Sequence, residues 1–182
     1  MKPICCGDRK DAEILLAASG GGLAIDEVNP IWFQPPAAPF TASLTERREV
    51  DPALLCLQLA ALQKRFDFVA VEGVGGWLVP IRRDYFVSHL AVEMKLPVIV
   101  VAQNRLGCLN HILLTVQSVA AFGLECAGVV LNSMSNLSDV ATQTNEDVLR
   151  RILNVPLLPN LSDSTSVLPE EWNSVVGPES AV

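Results

Sequence analysis

The chain has 182 residues, 50% of them hydrophobic and 18% charged, and its 20 acidic against 13 basic side chains give a formal charge of −7. The acidic balance excludes a general nucleic-acid binder, which needs clustered Lys and Arg on phosphates. The greasiest stretch, 96–102, is far below the roughly 20 apolar residues of a membrane span, and 1–7 is too short and too soon followed by charge for a secretory signal. The expectation is one domain, 1–182, with a sizeable core, residing in the cytoplasm. The cysteines Cys5, Cys6, Cys56, Cys108 and Cys126 are odd in number and show no Cys-x-x-Cys pair, so they read as free thiols.

In chain order, a first strand is predicted over 2–5 and a helix over 11–19. VNPIWFQPPAAPFTAS, 28–43, has prolines that argue against regular structure, while Trp32, Phe33 and Phe40 are too apolar for a free linker. An ordered loop packed across the sheet edge is expected there. Asp51 followed by Pro52 marks the start of a helix over 52–65. Then come a strand over 67–72, a helix over 84–94, a strand over 97–102 and a helix over 109–122 that Gly123 stops. A strand over 126–132, a helix over 139–153 and a strand over 156–159 complete the pattern. The runs 67–72, 97–102 and 126–132 are continuously apolar, as strands covered on both faces should be. Short β runs alternating with helices give an α/β fold, a doubly wound and mostly parallel sheet with flanking helices. From Ser162 the sequence is rich in Ser, Pro and Glu, and a loosely held tail is expected over 162–182.

The segment richest in chemistry is DFVAVEGVGGWLVP, 67–80, where a strand ends in Glu72 and a Gly-x-Gly-Gly turn follows. In doubly wound sheets ligands bind at the carboxyl ends of strands. A carboxylate there is costly unless it meets a cation, and at a phosphate site a hard oxygen ligand suggests Mg²⁺. Gly73, Gly75 and Gly76 let the backbone approach a ligand. The same pattern also fits a tight strand-to-helix turn with a solvated glutamate. His89 and His111 have no acidic or nucleophilic partner at a recognisable spacing and read as helix-face residues; Arg82 and Arg83 read as a solvated pair and Trp77 as packing.

Taken in order, KPICCGDRKDAEIL, VNPIWFQPPAAP, VEGVGGWLVP, LPVIVVAQNRLGCLNHILLT and GVVLN resemble dethiobiotin synthetase over nearly the whole chain up to about Leu161. The resemblance implies a P-loop NTPase-like homodimer of biotin synthesis. Its substrates would be 7,8-diaminononanoate and CO2, with ATP as co-substrate and Mg²⁺ as cofactor, and no nucleic acid or membrane as partner. It implies that Lys2 neutralises the carbamate and the transferred phosphoryl group, and that Asp11 and Glu72 hold Mg²⁺. It implies further that Asn132, with Ser133, reads the adenine edge, that Pro159, Asn160 and Leu161 close the base pocket, and that Gly73, Val74, Gly75 and Gly76 lie where nucleotide and diamine meet. Leu106, Gly107, Cys108, Leu109 and Asn110, at a helix start, would hold the substrate carboxylate for the neighbouring subunit.

Two features depart from the family. Cys6 stands where a serine usually bonds the substrate, and a thiol is a weaker donor. No Gly-x-x-x-x-Gly-Lys-Ser/Thr run occurs in these 182 residues, whereas the family begins with one. The expectation is therefore a family member lacking its first strand, P-loop and first helix, with phosphoryl transfer severely impaired in the piece alone. The alternatives are a P-loop-less homologue acting as a diamine-binding or interaction protein, and a module of a cobyrinic-acid-type amide synthetase.

Overall fold

The computed structural model describes residues 1–132, 139–159, 169–172 and 175. Their contacts group into two units, Met1–Met94 and Lys95–Val182. Ser133, Asn160, Leu161 and most of the expected tail over 162–182 lie outside the described residues.

In the first unit, β1 (Ile4–Cys6) runs parallel to β2 (Ile31–Phe33), with Ile4 opposite Ile31 and Cys6 opposite Phe33. Helices α1 (Lys10–Ala18) and α2 (Ile25–Val28) form the crossover between them. Next come α3 (Pro39–Glu46) and α4 (Pro52–Gln63), whose Asp51 side chain accepts the Ala53 N–H at 3.0 Å, the N-cap expected from the sequence. A short antiparallel pair, β3 (Pro80–Arg82) and β4 (Tyr85–Phe86), leads into α5 (Val87–Met94). Ile4, Phe33, Ala42, Val50, Leu55, Ile81 and Leu90 form the core. Burying a side chain the size of Phe33 contributes about 1.5–3 kcal/mol.

Three expectations are corrected here. The stretch 28–43 is not a loop, because it supplies β2 and most of α3. Its prolines stand at the joints, Pro30 before β2, Pro35 and Pro36 after it and Pro39 as the first residue of α3, where a missing N–H removes no ladder or helix bond. The segment 67–72 forms no strand ladder and is largely exposed, Phe68 by 56%. It meets Met1 at two points, the Met1 nitrogen donating to the Ala70 carbonyl at 2.6 Å and the Glu72 N–H donating to the Met1 carbonyl at 2.9 Å. Two bonds to one residue make a bridge and no more. Finally, the first residues expected in a helix over 84–94 form β4, and the helix begins only at Val87.

In the second unit, β5 (Val98–Gln103), β6 (Cys126–Asn132) and β7 (Leu157–Leu158) form a parallel sheet in the order β5-β6-β7. Helices α6 (Cys108–Ala121) and α7 (Val140–Ile152) are the crossovers. Gly123 follows α6 at φ +74°, the left-handed stop that glycine allows. Asp139 caps α7, accepting the Thr142 N–H at 2.7 Å while the Thr142 hydroxyl accepts the Asp139 N–H at 2.8 Å. Of the three strands expected to be covered on both faces, only β6 is buried along most of its length; Val101 on β5 is 62% exposed. At Gly128 on β6 an added Cβ would lie 2.7 Å from the Leu158 side chain, so β7 packs where only glycine leaves room. Within the expected tail, Trp172 is buried with Val130 and Leu158 and donates its indole N–H to the Pro159 carbonyl at 3.1 Å. Among the described residues no helix is long and apolar enough to cross a membrane.

Candidate functional site

The first unit brings three of the expected site residues into contact. The Lys2 ammonium lies 2.6 Å from Glu72 Oε1 and 2.9 Å from Asp11 Oδ2. Lys2 is 4% exposed although it enters β1, whereas the side chains of Asp11 and Glu72 are 57% and 51% exposed. A cation is thus sunk at the base of two carboxylates that face solvent. Burial by itself would lower the lysine pKa, but the hydrogen bonds to Glu72 and Asp11, with their charges, outweigh it and hold the ammonium above its ordinary range.

Local structure explains the placement. Asp11 lies in the first turn of α1, where an acid also suits the helix dipole. Glu72 is held by its backbone bond to Met1, next to Lys2 in the chain. The Lys2 backbone is itself clamped, its N–H donating to the Val28 carbonyl at 2.7 Å and its carbonyl accepting from Asn29 Nδ2 at 2.8 Å. Asn29, fully buried, also donates to the Ile31 carbonyl at 2.9 Å and accepts from Arg9 Nε at 2.8 Å. Arg9 continues outward to Asp26 at 2.6 Å and lies over the Trp32 ring at 5.3 Å. The sequence marks Arg9 by no signal and Asn29 only as a polar residue between Val28 and Pro30 in an apolar stretch.

After Glu72 the chain turns through Gly73, Val74, Gly75 and Gly76. Gly75 has φ +67°, and a Cβ there would sit 2.9 Å from Val79 Cγ2. Val74 packs on the core, and the Val79 N–H donates to the Gly76 carbonyl at 3.1 Å, so the turn is anchored. Cys6, at the end of β1, is half-buried; burial, with Cys5 and Glu46 nearby, pushes its thiol up to about 11. It is therefore a neutral, weak donor near pH 7.

In the second unit, Leu106 and Gly107 are exposed at the start of α6, Gly107 as its N-cap at φ +90°, while Cys108 is buried and Leu109 packs on the core. Asn110 is exposed one turn in. Asn132 ends β6, and its carbonyl accepts the Asn104 N–H at 2.8 Å. Pro159 uses its carbonyl on Trp172. His89 accepts the Phe86 N–H through Nδ1 at 3.0 Å and stacks on Tyr85 and Phe86, a packing role. Arg82 is not a solvated residue, because its guanidinium binds the Val50 carbonyl.

A sequence profile described as an AAA domain matches residues 1–168. The ATP-dependent dethiobiotin synthetase BioD of Akkermansia muciniphila is 39% identical over 160 residues, 88% of this chain and 75% of that protein. The chain belongs to the ATP-dependent dethiobiotin synthetases. Synthetases of the same name from Endomicrobium trichonymphae and Bacillus subtilis are 38% and 34% identical, over 86% and 85% of this chain and 74% and 68% of theirs. The fold is accordingly that of an α/β P-loop NTPase-like protein, with parallel sheets between helices. A dethiobiotin synthetase works with ATP, and the donor set at Lys2 fits a magnesium ion: Asp11 and Glu72 offer oxygen ligands open to solvent, and Mg²⁺ is commonly held by one or two carboxylates together with substrate phosphates.

Proposed function

We propose that Lys2 stands at the centre of the ATP-dependent dethiobiotin synthetase reaction, which these 182 residues alone, holding no P-loop, run severely impaired. One amine of 7,8-diaminononanoate adds to CO2, forming a C–N bond and losing a proton to give a carbamate. A carbamate oxygen attacks the γ-phosphorus of ATP and ADP leaves. The second amine then attacks the carbamoyl carbon and loses a proton, the C–O bond to phosphate breaks, phosphate leaves, and the ureido ring closes.

The observation that carries this reading is the buried Lys2 ammonium between Asp11 and Glu72. Its raised pKa keeps it charged at working pH, and its burial makes that charge strong toward a carbamate or phosphoryl oxygen. Asp11 and Glu72 would hold Mg²⁺, which when bound neutralises phosphate oxygens of ATP. The Gly73–Gly76 turn and Cys6 line the diamine, Asn132 reads the adenine and Pro159 borders the base. The Leu106–Asn110 helix start takes the substrate carboxylate through its amides. Leu106, just before α6, and Leu114 on it, 80% and 58% exposed, support a homodimer in which that helix start serves the neighbouring subunit. A reaction supplied by ATP supports a cytoplasmic location.

The test is ADP release on mixing the chain with MgATP, bicarbonate and the diamine. Slow diamine-dependent release that Lys2→Met abolishes is expected. A full rate in Lys2→Met would remove Lys2 from the centre, and diamine binding without any turnover would favour the diamine-binding alternative.

A further inference from the structure

The core beneath α6 and α7 is apolar, built from Val100, Cys108, Ile112, Val129, Leu131 and Leu149. Two amides are nevertheless buried at its upper edge, Asn104 at 8% and Asn145 at 4% exposure. Asn145 lies one turn before the fully buried Leu149 on the same face of α7. Its Nδ2 donates to Asn104 Oδ1 at 2.8 Å and toward the Arg105 carbonyl at 3.3 Å. Asn104 in turn donates its own Nδ2 to the Thr142 carbonyl at 2.8 Å and its backbone N–H to the Asn132 carbonyl at 2.8 Å.

Burying amides among hydrocarbon costs free energy unless each polar atom is paired, and an apolar pair of similar volume would fill the space with no such demand. A mutually bonded pair of this kind fixes geometry instead. The geometry fixed here is specific. The bonds converge on the carboxyl ends of β5 and β6, where ligands bind in open α/β sheets. One side-chain arm ends on residue 105, directly before Leu106 and Gly107 at the start of α6, and another ends on Thr142 in α7, while the bond to Asn132 is made by the Asn104 backbone.

We propose that Asn104 and Asn145 are positioning residues that lock the α6 helix start to α7, and so set the affinity for the diamine carboxylate. The inference rests on the reading of Leu106–Asn110 given above. Asn145→Leu removes the donor that holds residues 104 and 105, leaving the Arg105 carbonyl with the Cys108 N–H at 3.1 Å. The double variant Asn104→Leu with Asn145→Leu removes the whole amide pair and leaves apolar side chains in its place.

Equilibrium binding of 7,8-diaminononanoate is measured by calorimetry on the full chain, beside the thermal midpoint of each variant. Asn145→Leu is expected to lower the midpoint and weaken the diamine about tenfold. The double variant is expected to regain much of the midpoint while affinity for the diamine stays reduced, a separation that a merely structural pair would not produce. Asn145→Ser, a smaller disturbance, should weaken binding in the same direction and serves if Asn145→Leu does not fold. Wild-type affinities in the double variant or in Asn145→Ser overturn this inference alone. A wild-type chain that does not bind the diamine overturns the site reading and this inference together.

Discussion

The burial of Lys2 beneath two exposed carboxylates makes an asymmetric prediction. Replacing Glu72 by Gln leaves a 4%-exposed ammonium with one carboxylate where it had two. A charge-assisted hydrogen bond to a buried group contributes about 1.5–3 kcal/mol, and half-exposure of Glu72 screens part of that, so a loss of about 1–2 kcal/mol is expected. For a chain of this size the thermal midpoint should fall by about 2–8 °C. Replacing Lys2 by Met removes the buried charge itself, puts a flexible apolar chain in its place and leaves Asp11 and Glu72 to water. Stability should then change by less than about 1 kcal/mol, although the reaction is lost. Urea unfolding of both variants beside the wild type measures the order. The pH dependence follows the same pair. Because the Lys2 pKa is raised on folding, its contribution is fully present below the ordinary lysine value of 10.5 and is lost as pH climbs through the higher folded value. The wild type should lose more stability than Lys2→Met at alkaline pH above that point. A Lys2→Met variant less stable than Glu72→Gln by more than about 1 kcal/mol, or with the wild-type alkaline profile, would refute the reasoning.

Gly75→Ala forces a side chain into φ +67° against Val79 and should cost about 1–2 kcal/mol, read by chemical unfolding. Asp139→Ala removes the N-cap of α7 and should cost about 1 kcal/mol in the same assay; an unchanged midpoint would mean that the cap bond is not formed in solution. Cys6→Ser replaces a half-buried neutral thiol by a better donor and should tighten diamine binding about three- to tenfold by calorimetry, whereas unchanged affinity would take residue 6 out of the diamine contacts.

Much of this was legible in the sequence where a signal was local. Asp51 before Pro52 marks a cap that forms, the helix expected from 139 starts at Val140 with Asp139 as its cap, and Gly123 stops α6 because it takes the left-handed turn without strain. The apolar run ending in Asn132 is the one strand of its kind that is buried along most of its length. Less legible was whatever depends on partners distant in sequence. β2 exists because Phe33 finds the core and Ile31 finds Ile4, and proline density hid both. The apolar pattern of 67–72 matches a covered strand, yet pattern alone cannot supply the neighbours that make a ladder. Lys2, Asp11 and Glu72 carry the family's order in the sequence, but their contact joins residues up to 70 positions apart. Asn29, Asn104 and Asn145 show no periodicity, because each is defined by the carbonyls it meets.

Glu72 belongs to a segment with no ladder of its own, tied down by two backbone bonds to Met1 and by charge to Lys2. Whatever draws that carboxylate away from the ammonium also loosens the anchorage of the backbone beneath it. Association that used Glu72 would therefore carry an entropic signature, in which the lost ion pair offsets part of the gross interaction and the freed backbone returns part of it as entropy. Calorimetric enthalpies smaller than the free energies would reveal that compensation, and tethering 67–72 more firmly would remove the entropic gain without touching a single ligand contact.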